Sequence, residues 1–213
     1  MNLKTIKKLL QKKVYTQNQL NKIASNRGGS KTLNTLLEKA PQLLTLGYKV
    51  EQIVKVAANS GGSKTLNTLL EKTPQLLALG YKDEQLIKVA ANSGGSKTLN
   101  TLLEKTPQLL ALGYKDEQLI KVAANSGGSK TLNTLLEKTP QLLTLGYKDE
   151  QIVKVAANGG GSQALTTLLE KTPQLLILGY KADQLIKAAA NSGGSQALNT
   201  LLEKTPQLLT LGY

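Results

Sequence analysis

The chain of 213 residues carries 27 Lys and Arg against 14 Asp and Glu, a net charge of +13, with no Cys, His, Phe or Trp. Without cysteine there is no disulfide framework and no thiolate metal site, and without histidine the commonest general base and metal ligand is missing, so neither an enzyme nor a cofactor or small-molecule substrate is expected. So basic a balance favours a polyanionic partner, nucleic acid ahead of an anionic membrane, because each phosphate contacted can release a condensed counterion.

The charge is uneven: positions 1–47 hold a net +8, and positions 48–213 hold the other +5. Residues 1–14 read as a short basic amphipathic helix, with Leu3, Ile6, Leu9 and Leu10 on one face and Lys4, Lys7, Lys8, Lys12 and Lys13 elsewhere, capping the repeat that follows. The segment lacks the long apolar region and small-residue cleavage site of a secretion signal, and no apolar run is long enough for a transmembrane helix. A soluble protein without membrane association is expected.

From Tyr15 the chain is a tandem repeat with units 15–47, 48–80, 81–113, 114–146, 147–179 and 180–212, and Tyr213 opens a seventh unit. A strict period of this length signals stacked small units in place of one large core. In the unit beginning at Tyr81, Asp83 and Glu84 place negative charge at a helix start, and Leu86, Ile87, Val89, Ala90 and Ala91 supply an apolar stripe. Asn92-Ser93-Gly94-Gly95 then closes this first helix.

A second helix is expected from near Ser96, with that hydroxyl capping its first turn, through Leu99, Leu102, Leu103, Leu109, Leu110 and Leu112. Pro41, Pro74, Pro107, Pro140, Pro173 and Pro206 fall inside these second helices, where a bend at or just before each proline is expected; identical bends would generate a regular superhelix. Gly113 ends the helix, and tyrosines at the unit boundaries are read as packing residues between repeats.

The interhelical loop is the candidate site. Asn26, Asn59, Asn92, Asn125, Asn158 and Asn191 each precede one variable residue, in turn Arg27, Ser60, Ser93, Ser126, Gly159 and Ser192. Two glycines follow: Gly28 and Gly29, Gly61 and Gly62, Gly94 and Gly95, Gly127 and Gly128, Gly160 and Gly161, Gly193 and Gly194. Next but one comes Lys31, Lys64, Lys97 or Lys130, replaced by Gln163 and Gln196 in the last two repeats. In a superhelix these loops would share one edge. Glycine N–H groups at a helix start, with lysines beside them, suit a phosphate backbone. The variable side chains would then face base edges: arginine reaches the guanine acceptors, serine fits most bases and glycine leaves room for the thymine methyl. Each Asn is expected to bond back to a carbonyl in the last turn of the first helix.

The pattern Asn-X-Gly-Gly-Ser-(Lys or Gln)-(Thr or Ala)-Leu, a proline at a fixed distance beyond the Asn (Pro74 after Asn59, Pro107 after Asn92) and a glycine at the unit's end resemble the repeats of transcription activator-like effectors, closest to short TALE-like proteins with 33-residue repeats. The resemblance covers residues 15–213. It implies an all-α, right-handed superhelical solenoid of six two-helix repeats with a short N-terminal capping helix, acting as a monomer on double-stranded DNA. It further implies one repeat per base, an implied site G-N-N-N-T-N, a role in transcription regulation, and residence in a bacterial cytoplasm or nucleoid or, for a secreted effector, a host nucleus. The Lys-Gln pair usual after the family's glycines is Ser-Lys here, which moves the expected phosphate contact by one position.

Two other readings remain open. A protein-binding helical scaffold would vary over both helices, and an RNA-reading repeat would use two or three selector side chains on helices. Gly-Gly-Ser-Lys-Thr also resembles the end of a nucleotide-binding loop, but it lacks the glycine before the lysine and the leading strand.

Overall fold

The computed structural model describes residues 3–11 and 14–210. Lys12, Lys13, the side chains of Leu3 and Leu10, and the final Leu211-Gly212-Tyr213 with its start of a seventh unit lie outside the described residues. The described residues form thirteen α-helices and no strand. After α1 (Leu3–Gln11) they pair as α2 (Gln17–Ala24) with α3 (Gly29–Thr45), α4 (Val50–Ala57) with α5 (Gly62–Ala78), α6 (Asp83–Ala90) with α7 (Gly95–Ala111), α8 (Asp116–Ala123) with α9 (Gly128–Thr144), α10 (Asp149–Ala156) with α11 (Gly161–Ile177), and α12 (Ala182–Ala189) with α13 (Gly194–Thr210). The expected six two-helix repeats are present. They fall into two compact units, Met1–Glu104 and Lys105–Tyr213.

In the first unit α3 packs on α5, α2 on α4, and α4 on α6; in the second, α9 packs on α11 and α11 on α13, while α8, α10 and α12 follow one another in the same way. A two-helix repeat cannot bury its own leucines, so like helices stack on like helices. Leu33, Leu36 and Leu43 of α3 and Leu66, Leu69 and Leu76 of α5 are fully buried. At the amino-terminal end α1 lies against α2 and α3, with Ile6 and Leu9 buried, and so caps the first repeat.

The junction between repeats is a glycine-closed helix end. Gly47 has φ of +96°, and the N–H groups of Gly47 and Tyr48 donate to the carbonyls of Leu44 and Leu43. That pair of bonds satisfies carbonyls the helix end would leave open, and only glycine takes this conformation without strain. The chain then turns Tyr48 inward, where its hydroxyl lies 2.6 Å from Thr73 Oγ1, which itself donates to the Leu69 carbonyl at 2.6 Å. The second unit repeats the arrangement, with Tyr114 on Thr139, Tyr147 on Thr172 and Tyr180 on Thr205. Burial, above all, pushes the Tyr48 phenol up to about 12; the Thr73 bond opposes this and the nearby Asp83 charge adds to it.

One local expectation changes. The second helix begins one residue earlier than Ser96, at Gly95, and the left-handed glycine before each second helix stands where a cap would, with no side-chain cap bond at Gly61 or Gly127. The serine hydroxyls turn inward and reach the preceding repeat: Ser63 and Ser96 lie 2.7 Å from Thr35 and Thr68, and Ser162 and Ser195 lie 2.8 and 2.7 Å from Thr134 and Thr167. The second helices contain their prolines. Each helix continues beyond its proline for a further turn, from Pro41 to Thr45 and from Pro173 to Ile177.

Candidate nucleic-acid interface at the interhelical corners

Each corner is built outward from its asparagine. The first helix ends at an alanine, and the Asn that follows turns its side chain back beneath the loop. Asn59 Nδ2 donates to the Lys55 carbonyl at 2.9 Å, Asn125 to Lys121 at 2.8 Å and Asn191 to Lys187 at 2.8 Å. Asn26, Asn92 and Asn158 bond Lys22, Lys88 and Lys154 in the same way. The amide also reaches the next repeat. In the first unit Asn26 Nδ2 donates to the Ala58 carbonyl and Asn59 Nδ2 to Ala91 at 2.6 Å; in the second, Asn125 and Asn158 donate to Ala157 and Ala190. Each of these alanines closes the first helix of the following repeat. Within each unit, therefore, neighbouring corners sit side by side and are tied together at one-repeat intervals. Nothing in the sequence pattern pointed to this second bond, because donor and acceptor belong to different repeats.

The variable residue stands at the tip. Arg27, Ser60 and Ser93 in the first unit and Ser126, Gly159 and Ser192 in the second are all exposed. The lysines and glutamines after the glycines, Lys31, Lys64, Lys97, Lys130, Gln163 and Gln196, are exposed as well.

The two glycines of each pair differ. The first (Gly28, Gly61, Gly94, Gly127, Gly160, Gly193) is exposed, with φ between +78° and +86°, and a Cβ on Gly61 would meet nothing. The second (Gly29, Gly62, Gly95, Gly128, Gly161, Gly194) is buried, and its N–H is spent on the carbonyl of the loop's own Asn, as from Gly62 to Asn59 at 2.9 Å and from Gly161 to Asn158 at 2.9 Å. A Cβ on Gly62 would stand far inside contact distance of the Ala57 carbonyl. The expected reason for a glycine here, close approach of a phosphate, thus gives way at the second position to close approach of the protein's own first helix. The N–H groups a helix start leaves without an intrahelical partner are those at the serine and the residue after it, as at Ser63 and Lys64; at Gln163 that N–H is spent on the Gly160 carbonyl at 2.9 Å.

In the second unit two successive corners enclose a cleft of about 300 Å³ lined by Gly159, Gly160, Gln163, Gly193, Ser195 and Gln196. It is open, polar and without a charged side chain. Among the described residues no group of His, Cys, Asp and Glu could hold a metal ion, and no helix is long and apolar enough to cross a membrane. The boundary tyrosines Tyr48, Tyr114 and Tyr147 are buried, so their rings cannot stack on an external base.

Fold and corners together define a class, a helical tandem-repeat protein whose interhelical loops carry one exposed, variable residue each. Set against known proteins, the chain matches no family model and none of the curated proteins in sequence.

Proposed function

We propose that this protein binds double-stranded DNA through its interhelical corners, with Arg27, Ser60, Ser93, Ser126, Gly159 and Ser192 facing base edges. One observation carries the reading. At each corner the Asn and the second glycine are bonded or packed inward, while the residue directly after the Asn, which differs among repeats, is exposed. A loop so rigidly seated around an unconstrained tip suits a reader of a regular ligand, and the net charge of +13 suits a polyanionic one. Lys31, Lys64, Lys97 and Lys130, Gln163 and Gln196, and the helix-start N–H groups would hold phosphates, which fix register without reading sequence. Arg27 would favour guanine, Gly159 thymine, and the serines would be permissive, giving weak sequence preference. We extend this reading to transcription regulation by site occupancy.

A protein-binding scaffold has one observation in its favour, a row of half-exposed leucines on the second helices, Leu44 and Leu77 in one unit, Leu143 and Leu176 in the other. That row is the same residue in every repeat, whereas a bespoke protein surface varies.

The test is affinity for duplex DNA against salt, with single-stranded RNA as competitor. If each of about six loops neutralises one phosphate, log affinity falls against log salt with a slope of about −5, at about 0.9 per phosphate. Gly159→Arg moves the preference at the fifth base from thymine toward guanine. Binding that ignores salt, or an unmoved fifth-base preference, refutes the reading.

A further inference from the structure

Each repeat also carries an exposed lysine before its loop, at the end of the first helix. Lys22, Lys55 and Lys88 in the first unit, and Lys121, Lys154 and Lys187 in the second, stand in the last turn of the first helix, shortly before the variable position. Their carbonyls are the ones that receive the loop asparagine, so each of these lysines is anchored in the turn directly beneath the corner.

Three features set this row apart. It is complete, whereas the lysines after the glycines stop at Lys130 and give way to Gln163 and Gln196. It is also unpaired. Glu51, Glu84, Glu117, Glu150 and Asp183 lie one turn earlier on the same helices, yet the ion pairs among the described residues join neighbours on the second helices, such as Lys72 with Glu71 and Lys138 with Glu137. Finally, it borders clefts that open between successive first helices. Lys22 and Lys55 line one of about 440 Å³ with Gln19, Glu51 and Asn59; Lys121 and Lys154 line another of about 570 Å³ with Gln118, Glu150 and Asn158.

We propose that these lysines form a second phosphate-binding track for nucleic acid, and that in the last two repeats Lys154 and Lys187 supply the cations the corners themselves lack. The inference rests on the DNA-binding reading above. A duplex presents two backbones on either side of a groove, and in the first four repeats the variable residue stands in the chain between two exposed lysines, one at the end of the first helix and one at the start of the second. The acid in each cleft limits how far a phosphate enters, and Lys22, with Asn18 where later repeats have Glu or Asp, is the least compensated member. A lysine in a helix's last turn also complements the helix dipole, and that role alone would alter stability without altering the response to salt.

The experiment uses the full chain and one duplex, with affinity followed over a salt series and helicity checked by circular dichroism. The variants are Lys121→Gln/Lys154→Gln/Lys187→Gln, the charge-keeping Lys121→Arg/Lys154→Arg/Lys187→Arg, Lys187→Gln alone, and Lys97→Gln/Lys130→Gln in the corners. With three contacts at about 0.9 each, the triple Gln protein flattens the slope by about 2.7, Lys187→Gln by about 0.9 and the corner pair by about 1.8, while the Arg protein keeps the slope of the unaltered chain. Should the triple Gln protein lose its helicity, Lys187→Gln decides. Unchanged slopes in the Gln variants of this row, with a flattened slope in the corner pair, overturn the second track and leave DNA binding standing. No duplex binding by the unaltered chain overturns both.

Discussion

The two corners of a repeat are built from the same parts and put to opposite uses. At the junction Gly47, with φ of +96°, turns the chain so that Tyr48 points inward and its hydroxyl meets Thr73. At the loop Gly61, with φ of +79°, turns the chain so that Gly62 is pressed onto the first helix and Ser60 is left outside. The N–H and the hydroxyl of the junction tyrosine are both bonded within the protein, and the residue is the same in all repeats. At the loop the Asn and both glycines are equally constant, but the tip is exposed and differs among repeats. The difference teaches that stability and recognition are separated within one repeat: the tyrosine, asparagine and second glycine, which are bonded or packed within the protein, are the same in every repeat, whereas the exposed tip differs among them.

The sharpest way to break this contrast is at the buried glycine of the loop. Gly62→Ala drives a Cβ into the Ala57 backbone, which cannot yield as a flexible side chain would. Overpacking of this kind costs about 1–3 kcal/mol and occasionally more, and the upper end is expected. Gly61→Ala, one residue earlier, meets no atom and carries only the left-handed backbone penalty of about 1–2 kcal/mol. Urea midpoints should fall further for the first variant than for the second, and equal midpoints would contradict the packing argument.

The junction comes next. Thr73→Val keeps the shape and leaves the Tyr48 hydroxyl without its partner in a buried site, at a cost of about 1–3 kcal/mol by chemical denaturation. The same tyrosine gives the protein an alkaline limit. Its phenol is raised from 10.0 to about 12, so between those values the folded chain holds a proton that the unfolded chain releases. The stability linked to Tyr48 is therefore complete below pH 10 and lost as pH rises through about 12. Tyrosinate absorbance should rise together with unfolding there; free titration of all tyrosines near pH 10 in the folded protein would show the junctions to be open.

The smallest effect belongs to the tip. Ser60→Ala should shift stability by no more than about 0.5 kcal/mol, as expected of an exposed side chain away from the packed framework, while any effect on DNA affinity stays confined to one base position. A loss as large as that of Thr73→Val would mean that the tip is part of the framework.

The sequence by itself determined the period, the two helices of each unit, the glycine-closed junction, the inward tyrosines and the place of the variable residue, because each follows from short-range rules: apolar spacing along a helix, the left-handed tolerance of glycine, the strict copying of a unit. Only the tertiary structure decided that Ser96 bonds Thr68 instead of capping its own helix, that the second glycine is present for its own helix and not for a ligand, and that Asn59 reaches Ala91 as well as Lys55. Each of these rests on which backbone or side-chain atom a neighbouring helix brings within bonding or contact distance, a matter of three-dimensional packing that identical repeats can signal only by being identical.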